Sequence, residues 1–268
     1  MCNDSYLPPL TADNITTEFP LDPEIDLARQ VQQLLFPKSS PFCNWCCISV
    51  RNRMAEELGG DYFDFITMPD NCQAILIGDV TGHGMHASIV MSFIYGFIHH
   101  ATQGQCAPLD LVRQVNRFLV MFGQRSRLLD HYFSSTLFFG IIDPDSLILN
   151  YGNAGHVPPL VHRAGRITEL ATTGQPIGFF EEPELEMASF ALEKGDRLLL
   201  YTDGITEASN RRGELFGNVR LRKALRTHRG DHQEFLDLLF TTLTEFEDGV
   251  PAADDCTAIA IDFHGFWR

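Results

Sequence analysis

Residues 74–79 read AILIGD and residues 198–204 read LLLYTDG. In each, an apolar run suited to a strand buried on both faces delivers an aspartate at its end, Asp79 in the first and Asp203 in the second. Two further stretches run the other way. Gly59-Gly60-Asp61 precedes the apolar strand that starts at Tyr62, and Asp254-Asp255 precedes Thr257-Ala258-Ile259-Ala260-Ile261. Each acid therefore lies at a strand end, on a rigid support, beside glycine or other turn residues. A single aspartate in such a place has an ordinary explanation, because turns favour Asp for local backbone reasons. Four places of this design in one chain point further. Carboxylates gathered at one end of a sheet assembly repel one another unless cations lie between them. Oxygen-only ligands favour Mg²⁺ or Mn²⁺ over zinc, which prefers His and Cys.

Working outward, short β-rich runs separated by turn residues predict strands over 43–50, 62–68, 74–77, 135–142, 147–151, 185–190, 197–201 and 257–263. Helical periodicity covers 85–100, 109–122, 219–227 and 232–246. Strands come in adjacent groups with helices in pairs between them, which predicts an α+β sandwich over a regular βαβ repeat. Residues 1–21, rich in Pro, Thr and Asp without periodicity, read as a flexible tail. Residues 22–37 read as an amphipathic helix: Asp22 as N-cap, Pro23 at the first helical position, Ile25, Ala28, Val31, Leu34 and Leu35 as its apolar stripe, and Pro37 as its stop. That stripe packs either on its own domain or against a second copy, and we expect a homodimer through residues 22–36. Residues 38–268 form the main domain.

Composition narrows the function. A formal charge of -15 disfavours nucleic acid or an anionic membrane as partner. The opening MCNDSYLPPL lacks the basic and apolar regions of a secretory signal, and the apolar stretch 89–98 is too short to span a bilayer. Seven irregularly spaced cysteines fit reduced thiols and a cytoplasmic location. Cys43 and Cys46 form a lone CxxC with no second pair to complete a zinc site.

The blocks GGDYFD (59–64), GDVTGHG (78–84), YTDGITEA (201–208) and DDCT (254–257), in that order, resemble the signature of the PPM metal-dependent protein phosphatases, and of their bacterial SpoIIE/RsbU branch in particular. ARQVQQLLFP (28–37), FSSTLFFGIID (133–143), NAGHVPPLV (153–161) and GQPIG (174–178) match that branch too, so the resemblance spans residues 22–263. It implies an αββα sandwich of two mainly antiparallel sheets flanked by helix pairs, with two divalent cations, Mn²⁺ or Mg²⁺, at one end. Asp61 and Asp79 would bind and bridge the metals, with the backbone carbonyl of Val80 as a further ligand. Asp203 would complete one shell, and the last ligand would be Asp254 or, as a weaker match, Asp255. The reaction implied is hydrolysis of phosphoserine or phosphothreonine by in-line attack of water, with no phosphoenzyme. The substrate implied is a STAS-type anti-sigma-factor antagonist. The rival reading is a non-catalytic partner-switching module that binds a phosphoprotein without turning it over.

Neighbouring residues carry lesser expectations. His83 would cap the helix that follows or act as a general acid. Asn153 and His156 would brace a loop, and Asp64 would support the metal ligands from behind. Eukaryotic members of the family place a phosphate-binding arginine just upstream of the first acidic block. Here that stretch is Met54-Ala55-Glu56-Glu57-Leu58, with Arg51 and Arg53 further back.

Overall fold

A computed structural model describes residues 23–38, 44–68, 72–102, 107–125 and 133–265. The expected tail over 1–21, the N-cap at Asp22 and Cys43 of the CxxC lie outside the described residues. The chain order is α1 (Pro23–Leu35), β1 (Cys46–Arg53), β2 (Tyr62–Thr67), β3 (Gln73–Val80), α2 (Gly84–Ala101), α3 (Pro108–Gly123), β4 (Ser135–Asp143) and β5 (Ile148–Ala154). It continues through β6 (Leu160–Arg163), β7 (Arg166–Glu169), β8 (Ala188–Ala191), β9 (Arg197–Tyr201), α4 (Asp203–Glu207), α5 (Gly217–Thr227), α6 (His232–Glu247) and β10 (Cys256–Phe263).

The strands form two five-stranded antiparallel sheets, ordered β1-β10-β9-β6-β7 and β2-β3-β4-β5-β8. Apolar residues on the facing sides of both sheets, among them Ile48, Leu198, Ile259, Ile77 and Phe138, make one core that continues under α2 and α3. A second core lies beneath α4, α5 and α6, where Leu199, Ala258 and Ala260 meet Leu221, Phe235 and Leu239. With both faces of each sheet covered, β3, β9 and β10 become near-continuous apolar runs, the pattern that led to the expected sandwich. The αββα architecture is the one the family resemblance implies, and it agrees with the α+β sandwich read from the pattern.

Several details differ. Strands β6 and β7 were not predicted, being four residues each, with β7 largely exposed and so without alternation to read. The single-turn α4 was also not predicted; it begins at Asp203 itself. Strand β3 runs on to Val80, so Asp79 pairs opposite Thr136 within the ladder instead of following the strand. Cys256 is a thiol, whereas Cys47 is disulfide-bonded, which corrects the expectation of reduced thiols throughout. Among the described residues no helix is long and apolar enough to cross a membrane.

Helix α1 lies on the domain through a polar contact. Gln32 is buried, donating from Nε2 to the Gly59 carbonyl at 2.7 Å and accepting from the Gly59 amide at 3.2 Å. Phe36 follows, stacked on Phe63 with ring centroids 4.9 Å apart. Of the expected stripe, Val31 and Leu34 stay 55% and 72% exposed, and Leu27 joins them at 61%.

Candidate metal centre

Asp61 lies one residue before β2 and Asp79 one residue before the end of β3, so one sheet delivers both to the same edge. Asp203 follows β9, and Asp254 and Asp255 lead into β10, so the other sheet delivers three more. Carboxylate oxygens of Asp79, Asp203 and Asp254 all lie within 4.8 Å of one another. Spacing of this kind, from three separate segments, fits oxygen ligands around a common hard cation.

Asp61 is buried beside this trio and held by hydroxyls. Thr202 Oγ1 donates to its Oδ2 at 2.9 Å and Thr257 Oγ1 does so at 2.5 Å. The two threonines are tied in turn, since the Thr257 amide donates to Thr202 Oγ1 at 3.0 Å. Asp79 is fixed through its backbone: Ser135 Oγ donates to its carbonyl at 2.7 Å, and Ser135 lies 3.0 Å from the Tyr62 hydroxyl. Gly78 leaves room for that ring, because a Cβ there would come within 2.4 Å of the Tyr62 hydroxyl. The Val80 carbonyl faces Gly60, where an added Cβ would approach it to 3.1 Å.

The electrostatics are those of crowded acids. Burial foremost, then the charges of Asp203 and Asp254, push the Asp79 carboxyl up to about 8. Burial, then Asp79 and Asp255, raise Asp61 well above the carboxylate range, against the pull of the two threonines. Asp203 is raised by burial, then by Glu207 and Asp254. Removing these protons at neutral pH calls for positive charge, and among the described residues no Lys or Arg pairs with any of the four.

Asp255 plays a different part. Its carboxylate accepts from the amides of Ala55 and Gly60, each at 2.8 Å, and at 3.5 Å from that of Asp61. It clasps the loop that presents Asp61, and its oxygens are occupied by that task. Asp64 does not back the ligands as expected. Tyr95 and His99, eleven and fifteen residues into α2, bind it instead at 2.7 and 2.5 Å.

His83 occupies the N-cap position of α2 yet its side chain makes no cap bond; Nδ1 instead meets Glu56 at 2.7 Å. Asn153 and His156 brace as expected. Asn153 Oδ1 accepts from the His156 amide at 2.8 Å, and His156 reaches Thr136 at 2.9 Å and the Tyr201 carbonyl at 3.1 Å. Burial lowers the His156 imidazole to about 4, so it spans the two sheets as a neutral ring. Arg51 and Arg53 are committed to Asp237 and Glu247 on α6 and offer no substitute for a phosphate-binding arginine.

Sequence reasoning missed Thr202, Thr257, Ser135 and Glu207. The first two stand inside YTDG and DDCT beside the acids, and their hydroxyls were the available signal.

The model for Stage II sporulation protein E (SpoIIE) matches residues 69–264. The chain belongs to the SpoIIE family. Relatives of this family chain include Protein IcfG of Synechocystis, 30% identical over 261 residues that cover 89% of this chain and 41% of IcfG. Phosphoserine phosphatase RsbP of Bacillus subtilis is 32% identical over 187 residues, covering 69% of this chain and 45% of RsbP. The chain thus spans less than half the length of either relative. In fold it is similar to the SiaA-PP2C domain of Pseudomonas aeruginosa, with a TM-score of 0.78 at 20% identity over 90% of this chain and 96% of that domain.

Proposed function

We propose that this chain is a metal-dependent phosphatase acting on phosphoserine and phosphothreonine of a STAS-type anti-sigma-factor antagonist, in a partner-switching pathway of the bacterial cytoplasm. The observation that carries the reading is the approach of Asp79, Asp203 and Asp254 to within 4.8 Å, with buried Asp61 alongside and, among the described residues, no cationic side chain paired with them. An all-oxygen set of this kind suits two Mn²⁺ or Mg²⁺ ions held by Asp61, Asp79, the Val80 carbonyl, Asp203 and Asp254. Asp255, already taken by backbone amides, braces instead of binding metal. Once bound, such cations supply positive charge for the phosphoryl oxygens and an acidified water.

The chain's own residues provide the rest. Thr202 and Thr257 orient Asp61 and favour its charged form against burial, and Ser135 fixes the backbone of Asp79. Cys256, beside the acids, is no nucleophile: burial pushes its thiol up to about 12, far from thiolate at neutral pH. The relatives named phosphoserine phosphatases support the substrate class. The exposed Leu27, Val31 and Leu34 on α1 support self-association as a dimer.

Hydrolysis of p-nitrophenyl phosphate and of a phosphoserine peptide, with and without EDTA, tests this. Activity should vanish with chelator and return with Mn²⁺. Full activity in metal-free protein would overturn the reading. Tight binding of a phosphoprotein with no turnover at saturating Mn²⁺ would favour the non-catalytic module.

A further inference from the structure

The proposed ligands come from both sheets. β2 and β3 bring Asp61 and Asp79 from one, while β9 and β10 bring Asp203 and Asp254 from the other. Apolar packing holds two such sheets about 10 Å apart along their length. At the acidic end that packing gives way to carboxylates, which repel one another, so polar links have to hold the two halves in place. The Asp61 loop is tied across the gap by Thr202, Thr257 and Asp255. All three act on the Asp61 side.

His156 supplies a link on the Asp79 side. It lies in the loop that leaves β5 in one sheet for β6 in the other, and it is buried. Its Nε2 is 3.1 Å from the carbonyl of Tyr201, two residues before Asp203. Its Nδ1 is 2.9 Å from Thr136 Oγ1, and Thr136 is the residue opposite Asp79 in the β3–β4 ladder. Opposed residues share a face of the sheet, with Cβ atoms roughly 5 Å apart. The two partners fix the tautomer. A carbonyl can only accept, so Nε2 carries the hydrogen and Nδ1 accepts from the threonine hydroxyl. Both ring nitrogens are thereby satisfied. With burial lowering the imidazole to about 4, the ring is neutral and adds no cation that would compete for the carboxylates. Its own placement is preset: Asn153 Oδ1 accepts from the His156 amide at 2.8 Å, and the Asn153 amide and carbonyl are both bonded to Thr173.

We propose that His156 is a positioning residue for the metal centre. The Thr136–His156–Tyr201 link fixes Asp79 of one sheet against Asp203 and Asp254 of the other, and so sets the affinity of the site for its cations. The proposal rests on the metal-dependent reading above. Loss of a hydrogen-bonded support behind a ligand set weakens metal binding by roughly 10–100-fold.

The test is Mn²⁺ binding to the full chain, read from the electron paramagnetic resonance of the free ion, beside urea unfolding of the metal-free protein. His156→Phe keeps the bulk of the ring and removes both contacts. Thr136→Val keeps the shape and removes only the hydroxyl, and it decides the matter if His156→Phe does not fold. His156→Gln retains an amide donor for the Tyr201 carbonyl and an oxygen for Thr136. Arg163→Met, which loses an ion pair with Asp196 away from the acids, is the control for lost stability alone. We expect the Mn²⁺ dissociation constant to rise about tenfold or more in His156→Phe and Thr136→Val, to return to within a few-fold of wild type in His156→Gln, and to stay unchanged in Arg163→Met. Saturating Mn²⁺ should restore most of the turnover of Thr136→Val on p-nitrophenyl phosphate, with KM unchanged. If Thr136→Val and a folded His156→Phe are less stable but bind Mn²⁺ as tightly as wild type, the proposal is overturned and His156 only braces the fold. Wild-type protein that binds no Mn²⁺ would instead overturn the metal-dependent reading, and this proposal with it.

Discussion

Strand β9 begins at Arg197 and ends two residues before Asp203, and the carboxylates at its two ends are handled in opposite ways. At the Arg197 end, Asp196 and Asp262 each receive a two-pronged guanidinium contact. At the Asp203 end, four acids meet hydroxyls, backbone amides and one another. Arg51 and Arg53, on a strand of the same sheet, are spent on α6. This protein therefore has the means to neutralise a buried carboxylate with its own side chains and withholds them at one place. An end left short of positive charge, with Asp79 held up at about 8, is built for cations from outside.

The largest expected effect comes from breaking the unpaired end. Asp79→Asn and Asp203→Asn keep the shape of the site while removing charge that would hold the cations. Each should lower turnover at saturating Mn²⁺ by roughly a hundredfold or more. The metal-free melting temperature should hold steady or rise, because each change replaces a carboxyl whose charged form the buried site already disfavours. Steady-state kinetics and circular dichroism on the same preparations decide it. Near-normal turnover in either variant would remove that residue from the ligand set.

The paired end should respond the other way round. Arg163→Met strips the fork from Asp196, whose side chain is fully buried, and leaves an uncompensated charge. Urea unfolding should show a loss of about 3 kcal/mol, at the low end for a broken buried pair because Arg163 is itself partly exposed. Turnover per folded molecule should stay unchanged. A fall in turnover with stability intact would mean that the two ends are not separate units.

The same contrast explains what was legible in the sequence. The runs at 74–79 and 198–204 are apolar because β3 and β9 are covered on both faces, so their identity as strands and the acids at their ends were readable from the pattern alone. The sandwich followed from the grouping of such runs. Convergence did not follow, because no local pattern states that the ends of β3, β9 and β10 meet. The choice between Asp254 and Asp255 also needed the fold: both precede the same strand, and only the packing of Ala55 and Gly60 against Asp255 tells the brace from the member of the cluster. Asp64 misled because it lies three residues from Asp61 in sequence, while the strand carries it along α2 to Tyr95 and His99.

The smallest expected effect concerns α1, which touches the unpaired end without belonging to it. Gln32 bonds both polar groups of Gly59, the residue two before Asp61, and so ties the helix to the loop that Asp255 clasps. On its other side Leu27, Val31 and Leu34, spaced by four and three residues, present an apolar seam to solvent. A second copy laid along that seam would cover it, and charge placed there would be desolvated on association. Replacing Val31 and Leu34 with Asp should convert a dimer to a monomer in light scattering at tens of micromolar. Activity towards a phosphoprotein should change by only a few-fold, because no proposed ligand is altered and the Gln32 contact is kept. Gln32→Ala supplies the complementary variant: it keeps the seam and loosens the loop, so it should leave the dimer intact while shifting activity by a similar modest factor. A wild-type chain that is monomeric at these concentrations would refute the seam as a dimer contact, and α1 would act on the acidic end through Gln32 alone.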